Sequence, residues 1–250
     1  DNQWSLHDHI WLRATEKIQQ STICMVNPTF TANTYHSGYM YYPNIGIKGN
    51  GTNAYIDTKF NPFTQGVNFT AQSQCIWVWI NSRNTGLDFQ MYAGNNGGGV
   101  SSYITTVAGN VTEGWTHNLN TNFTESPYPL GLILFRKTSN GVREIWHNGV
   151  LKASNSQISN GVANYNFYEL AWNNANNAGY FSDATIAMSG YCSGDINPTL
   201  IYENVKELAT SIGFENNLEN SLQYHFPFDG NSNELIQAIP TVDTDMTYNS

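Results

Sequence analysis

Leu130–Ala153 reads LGLILFRKTSNGVREIWHNGVLKA, and this stretch decides the fold. Its first run, Leu130–Lys137, is apolar on both faces, as expected of a strand buried between two layers. The Asn-Gly steps at 140–141 and 148–149 tolerate the positive φ that tight hairpin turns require. The pattern therefore predicts a meander of three consecutive antiparallel strands.

Short extended segments continue on both sides of this meander, from Asn44 to Gly194. Turns rich in Gly, Asn and Ser separate them, which is typical of an all-β sandwich. Cys75–Ile80 is apolar on both faces and is predicted to lie centrally. The other predicted strands are Ala54–Phe60, Leu87–Ala93, Ser101–Ala108, Gly114–Asn118, Asn166–Trp172 and Ala184–Cys192.

The N-terminal residues have a different pattern. His9–Leu12 is compatible with a short strand, and Glu16–Val26 has an imperfect helical face that ends before Pro28. We therefore expect residues 1–43 to form an N-terminal appendage that packs on a sandwich formed by residues 44–214.

A second helix is predicted near the end of the sandwich. Asn197 is a suitable N-cap, Pro198 suits the first helical position, and Gly213 suits a C-terminal stop. The apolar residues between them share one stripe, so the helix is expected to dock on the sandwich. These residues are Leu200, Ile201, Val205, Leu208 and Ile212.

Three motifs resemble the concanavalin A-like, laminin-G-like jelly-roll domains of lectins, glycanase-associated modules and bacteriophage virion proteins. The first is the Leu130–Ala153 hairpin region, and the second is Gly46–Thr58, which is similar to the early strand pair of these domains. The third, Tyr202–Phe214, is similar to the helix that closes many phage-type members. The resemblance implies a two-layer antiparallel jelly-roll sandwich with a docked C-terminal helix.

The last residues resemble the opening of another such domain. After a polar linker at residues 215–221, Tyr224, Phe226 and Phe228 alternate onto one face of an extended segment. Residues 222–250 are therefore expected either to begin a second laminin-G-like domain in a longer polypeptide or to supply a terminal strand to the first sandwich.

Composition restricts the classes of partner. The net charge is −9 with ten Lys and Arg, which argues against nucleic acid as a ligand. No apolar stretch reaches the roughly 20 residues of a membrane helix, so membrane insertion is not expected. Charged residues make up 12% of the chain, a balance typical of β proteins that are extracellular or on a virion surface.

The three cysteines and the pair His7 and His9 can each be interpreted in two ways. Cys24, Cys75 and Cys192 are read as three buried thiols, with one bridged pair as the alternative in an oxidising compartment. His7 and His9 are read as a surface pair, and a metal site is the alternative if an extended segment aligns them.

Catalytic motifs are missing from the sequence. Glycanases on a concanavalin-type scaffold place two carboxylates close together on one strand, about 5 Å apart in retaining enzymes. Here Glu144 and Glu169 stand alone and are expected on a solvated outer face, and the near pair Asp243 and Asp245 lies in the tail. We predict that the protein is not an enzyme.

Recognition is the remaining chemistry, because aromatic rings stack on sugars while amides bind hydroxyl groups. The aromatic residues that adjoin polar turns are Trp172, Trp115 and Tyr92, and the accompanying amides are Asn173, Asn174, Asn176 and Asn95. The resemblance also implies an occasional calcium ion at a loop rim, for which the candidates are Asp57, Asp183 and Asp195.

The sequence thus predicts a virion surface or tail-fibre-type structural protein that binds a host glycan or surface polysaccharide. Its expected partners are other virion or surface-protein subunits, with a homo-oligomer as the expected assembly. The alternatives are a secreted bacterial adhesin, the binding module of a carbohydrate-active enzyme, or an architectural module without a ligand.

Overall fold

The computed structural model describes residues 3–30, 34–36, 38–84, 89–107, 111–116, 119–125, 129–156 and 161–214. The predicted linker and the second-domain segment, residues 215–250, lie outside the described residues. The described chain folds into two β-sheets stacked on one another, which confirms the predicted all-β sandwich.

The first sheet has eight strands, in the order β13-β12-β11-β6-β17-β4-β3, and β1 pairs with β17 beside that path. The central position of β6 confirms the prediction for the segment around Cys75–Ile80. The strands are β1 (His7–Leu12), β3 (Met40–Tyr42), β4 (Gly46–Lys48), β6 (Gln74–Ser82), β11 (Gly131–Lys137), β12 (Val142–His147), β13 (Val150–Ser156) and β17 (Thr185–Cys192).

The second sheet has nine strands, in the order β10-β9-β8-β7-β14-β5-β2, with the β15–β16 hairpin joined to β7. The sequence did not predict β2, β10 or β16 as separate strands. The strands are β2 (Thr34–Tyr35), β5 (Ile56–Asp57), β7 (Phe89–Gly97), β8 (Val100–Val107), β9 (Val111–Thr116), β10 (Leu119–Thr124), β14 (Tyr168–Glu169), β15 (Trp172–Asn174) and β16 (Asn177–Gly179).

Helices are few in the described chain. The two α-helices are α1 (Pro62–Gln65) and α2 (Pro198–Ile212), and short 3-10 helices cover Gln3–Leu6 and Gln20–Thr22. No helix within the described ranges combines the length and the apolar character needed to cross a lipid bilayer.

The central strands of the first sheet, β6, β11 and β17, are buried on both faces. Along β6, Ile76 and Val78 point into the core between the sheets, whereas Trp77 and Trp79 point to the opposite face. Helix α2 covers that opposite face with an apolar stripe that includes Val205. Burial on both faces explains why β6 and β11 contain continuous apolar runs in the sequence.

The capping residues of α2 agree with the sequence. The Asn197 side chain accepts hydrogen bonds from the N–H groups of Thr199 and Leu200, and Gly213 ends the helix with a φ of +85°. Phe214 then folds back, fully buried, onto Trp79 at a ring-centroid distance of 5.6 Å. The predicted docking of this helix on the sandwich is therefore confirmed.

The N-terminal segment differs from the prediction. Strand β1 pairs with β17 inside the first sheet, and the short strands β2 and β3 belong to the two sheets, so these residues are part of the sandwich and not an appendage beside it. Nor is Glu16–Val26 a helix: only Gln20–Thr22 makes a 3-10 turn. The hydroxyls of Ser21 and Thr22 bond to nearby carbonyl groups, which offers the backbone an alternative to a helix.

Candidate functional site

Five aromatic rings form a continuous strip on the outer face of the second sheet. We name this group the aromatic strip. Adjacent ring centroids lie 5.4, 5.9, 5.4 and 4.6 Å apart along the strip. Tyr180 is 52% exposed and the other four rings are half-buried. In order, the members are Trp115, Tyr103, Trp172, Tyr180 and Phe89.

Strand register brings the first rings together. Trp115 on β9 is directly opposite Tyr103 on β8, and Tyr103 is directly opposite Gly94 on β7. Side chains directly opposite each other in neighbouring strands share one face of a sheet. The outward position of Gly94 is filled by its neighbours, because a Cβ there would lie 3.2 Å from Trp172 Cδ1 and 2.6 Å from Tyr103 Cβ. Glycine therefore allows Trp172 to pack beside Tyr103.

The β15–β16 hairpin holds the next part of the strip. Its turn residues Ala175 and Asn176 both have positive φ, as a two-residue hairpin turn requires. The hairpin is flanked by two further non-glycine residues with positive φ, Leu170 and Tyr180. Such conformations cost of order 1 kcal/mol each and persist where surrounding structure enforces them. The chain thus accepts local strain at the segment that places Trp172 and Tyr180.

Polar groups line one side of the strip. The Glu113 carboxylate accepts a hydrogen bond from Trp115 Nε1 at 2.8 Å and from Asn120 Nδ2 at 3.5 Å. Burial raises the pKa of the Tyr103 hydroxyl well above its usual value, and the Glu113 charge raises it further. Tyr103 therefore stays neutral and keeps its O–H as a donor at physiological pH.

Four of the predicted site residues lie on or beside this surface. Trp115 and Trp172 are members of the aromatic strip, although 57 positions separate them in the chain. Asn174 and Asn176 are exposed on the hairpin that carries Trp172, and Asn174 Oδ1 accepts a hydrogen bond from Asn96.

The other three predicted residues are buried and serve the fold. The Tyr92 hydroxyl is inside the core, where Arg83 donates to it at 2.7 Å. Asn95 donates to the carbonyl of Tyr165, and the Asn173 side-chain oxygen accepts the Asn176 N–H within the hairpin turn. We correct the expectation for Tyr92, Asn95 and Asn173, because a surface ligand has no access to these side chains.

The calcium candidates are not brought together. Asp57 binds Lys59 and Asn166, and Asp183 accepts the N–H of Asn84. Asp195 accepts hydrogen bonds from Ser73 and Ser139. Within the described ranges, no group of three or more His, Cys, Asp or Glu residues could hold a metal ion.

His7 and His9 are buried, so the expected surface pair is wrong. His7 accepts a hydrogen bond from Trp77 Nε1 at 2.9 Å, whereas His9 packs between Phe30 and Phe60. Burial lowers the pKa of each histidine to about 4. Both imidazoles are therefore neutral components of the core, without a shared metal position.

The lone carboxylates also differ from expectation. Glu169 is fully buried and pairs with Arg13 at 2.9 Å, and it accepts a further hydrogen bond from Ser189. Glu144 is mostly buried and pairs with Arg136. Neither residue lies on a solvated outer face, and each carboxylate is neutralised by an arginine. The three cysteines are free and buried, as the first of the two interpretations predicted.

Sequence reasoning did not identify Tyr103, Tyr180, Phe89 and Glu113. Tyr103 and Glu113 occupy alternating positions of strands with one polar face, and that period-2 pattern is visible in the sequence. The signal becomes specific only with the strand register that sets Tyr103 beside Trp115.

The chain matches no protein-family model and no curated protein sequence. It is similar in structure to the binding domain of botulinum neurotoxin serotype D, with 12% identity and a TM-score of 0.54 over 80% of this chain and 53% of that one. The binding domain of botulinum neurotoxin DC, solved in complex with rat synaptotagmin II, has 11% identity and a TM-score of 0.60, with 83% and 52% covered.

A third similar structure is of botulinum neurotoxin type C, whose cell entry is described as dependent on two ganglioside molecules. It has 12% identity and a TM-score of 0.58, with 82% of this chain and 52% of that chain covered. This chain spans about half the length of these neighbours. Identity this low supports a shared β-sandwich fold and nothing finer.

Proposed function

We propose that this protein binds carbohydrate without chemical conversion and that the aromatic strip is the contact surface. The observation that carries the proposal is the row of five contiguous, partly exposed rings on the outer face of the second sheet. Contiguous exposed apolar surface marks a binding site more often than hydrophobic residues that are scattered singly over a surface. Aromatic faces stack on the C–H faces of sugars, and the bordering Glu113, Asn120 and Asn174 groups can bind hydroxyls.

Two further facts support recognition over catalysis. The strip contacts one carboxylate, Glu113, among the described residues, whereas glycoside hydrolysis requires a pair. The structural neighbours are described as binding domains, and one is described by its interaction with gangliosides. Those descriptions concern proteins about twice as long, so they support the proposal by analogy alone.

The test is a glycan microarray followed by calorimetric titration of the best ligand. Trp172→Ala and Trp115→Ala remove strip rings, and Tyr42→Ala removes an exposed ring from the other sheet as a matched control. Loss of an anchoring aromatic residue typically costs on the order of 2 kcal/mol, or about thirtyfold in affinity. Equal binding by wild type and both tryptophan variants, with unchanged melting temperatures, would refute the strip as the site.

We propose that the protein is extracellular or on a virion surface, specifically as part of a phage virion surface or tail fibre built from several subunits. The support is the sequence resemblance of the hairpin region and of the closing helix, which the structure shows docked on the sandwich. A secreted adhesin or a module of a carbohydrate-active enzyme is the alternative. Virion structural genes beside this reading frame would favour the first setting, and secreted hydrolase genes would favour the second.

A further inference from the structure

The charge beside the aromatic strip is negative. Glu113 contacts the indole N–H of Trp115 and the amide of Asn120, and neither donor carries a positive charge. The ion pairs found in the described residues involve other carboxylates. A ligand on the strip therefore meets a carboxylate that forms no ion pair with a cation of the described residues, and this charge disfavours any anionic group that approaches it.

The cations of the described chain that contact aromatic rings do so away from the strip. Recognition of a carboxylate or sulfate typically uses Arg or Lys, because these side chains supply charge-assisted hydrogen bonds. None of the rings in these cation contacts belongs to the strip. The contacts are Arg13 on Trp11, Arg136 on Trp146, Lys152 on Phe123 and Lys206 on Tyr202.

The length of the strip also bears on the ligand. Asn120, Trp115, Tyr103 and Gly94 are directly opposite one another on four successive strands, a row of about 14 Å at the usual strand spacing. The rings then continue through Tyr180 to Phe89. One sugar ring covers about one aromatic side chain, so a row of this length offers contacts to several consecutive sugars.

We propose that the aromatic strip selects an internal segment of a linear, neutral glycan and discriminates against anionic glycans through Glu113. This inference rests on the proposed carbohydrate binding and names the class of ligand. It also separates this chain from a simple transfer of ganglioside recognition, because gangliosides carry negatively charged sialic acid. A neutral chain lying along the strip keeps every sugar in contact with a ring or an amide.

The experiment uses matched pairs of polysaccharides in which each carboxylate is replaced by a neutral hydroxymethyl group. Hyaluronan, polygalacturonate and polysialic acid are compared with their carboxyl-reduced forms, and neutral cellulose, xylan, mannan and chitin oligomers of one to six units complete the set. Binding of the full chain is measured at 20 and 500 mM NaCl, since salt screens exposed charges. Trp172→Ala reports whether binding occurs on the strip.

We expect each neutral form to bind more tightly than its anionic parent at low salt, with the difference decreasing at high salt. Affinity for the best neutral oligomer should rise at least tenfold from the monosaccharide to the hexasaccharide. Glu113→Gln should raise the anionic-to-neutral affinity ratio at least threefold. Glu203→Gln on α2 removes the same charge far from the strip and should leave that ratio unchanged.

Three results would overturn the inference, and they differ in whether they also refute carbohydrate binding. Equal or tighter strip-dependent binding of the anionic forms refutes neutral selection and leaves carbohydrate binding in place. A monosaccharide that binds as tightly as the hexasaccharide refutes recognition of an internal segment. Absence of any binding that Trp172→Ala weakens refutes both this inference and the proposed function.

Discussion

Glu169→Gln removes the negative charge from a buried ion pair that joins the N-terminal segment to both sheets. Arg13 donates to Glu169 from Nε at 3.0 Å and from Nη2 at 2.9 Å, and both side chains are fully buried. Ser189 on β17 donates to the other carboxylate oxygen. The substitution preserves the shape of the side chain but leaves the Arg13 cation without its counter-ion.

The expected cost follows from the burial of the pair. Removal of one partner of a buried ion pair costs about 3–5 kcal/mol, because the remaining charge stays desolvated. For a chain of this size, 1 kcal/mol corresponds to roughly 2–4 °C in melting temperature. We therefore expect Glu169→Gln to lower the melting temperature by roughly 6–20 °C.

The assay is thermal unfolding followed by circular dichroism, with urea unfolding as a second measure. Lys152→Met is the control, because the Lys152 and Glu125 side chains are about 30% exposed and such a pair contributes under about 1 kcal/mol. Arg13→Met combined with Glu169→Leu removes both charges and should recover part of the loss. A Glu169→Gln protein that melts within about 2 °C of wild type refutes the reasoning.

Three further predictions concern pH, thiols and packing. The pKa values of His7 and His9 are lowered to about 4, so protonation favours the unfolded chain between pH 6.5 and 4. The free energy of unfolding measured in urea should therefore be lower at pH 5 than at pH 7 by about 2 kcal/mol per histidine. Equal urea midpoints at pH 7 and pH 5 contradict this prediction. Cys75 and Cys192 are buried, and burial raises the pKa of the Cys192 thiol. A thiol reagent should therefore label these cysteines only after unfolding. Rapid labelling of both in the native protein would contradict their burial in the core. Gly94→Ala places a methyl group against the rings of the strip, so it should lower the free energy of unfolding by about 1–3 kcal/mol. It should also weaken glycan affinity at least tenfold. An unchanged affinity would contradict the packing of Gly94 against Tyr103 and Trp172.

Local sequence signals predicted the elements that depend on local chemistry. The Asn-Gly steps at 140–141 and 148–149 correspond to the turns between β11, β12 and β13. Asn197 and Gly213 cap α2 as expected, because capping needs only the residues next to the helix end. By contrast, the apolar residues of Glu16–Val26 suggested a helix, although Ile23 and Met25 are more than 40% exposed on an irregular segment.

The site was only half predictable, because it depends on strand register. Trp115 and Trp172 were identified from their polar neighbours, but nothing local reveals that Tyr103 lies between them. The same limit applies to Glu169, whose buried partner Arg13 is 156 residues away. The predictions for Tyr92 and Asn95 were wrong for the opposite reason. Both residues adjoin polar turn residues in sequence, but their side chains point into the sandwich.

Sugar is proposed to contact the outer face of the second sheet through the aromatic strip. The most direct test is the indole N–H region of an NMR spectrum, recorded while the best oligosaccharide from the array is added. We predict that the signals of Trp115 and Trp172 shift with ligand, while those of Trp77 and Trp79 beneath α2 do not. Saturable shifts confined to tryptophans outside the strip would contradict the account.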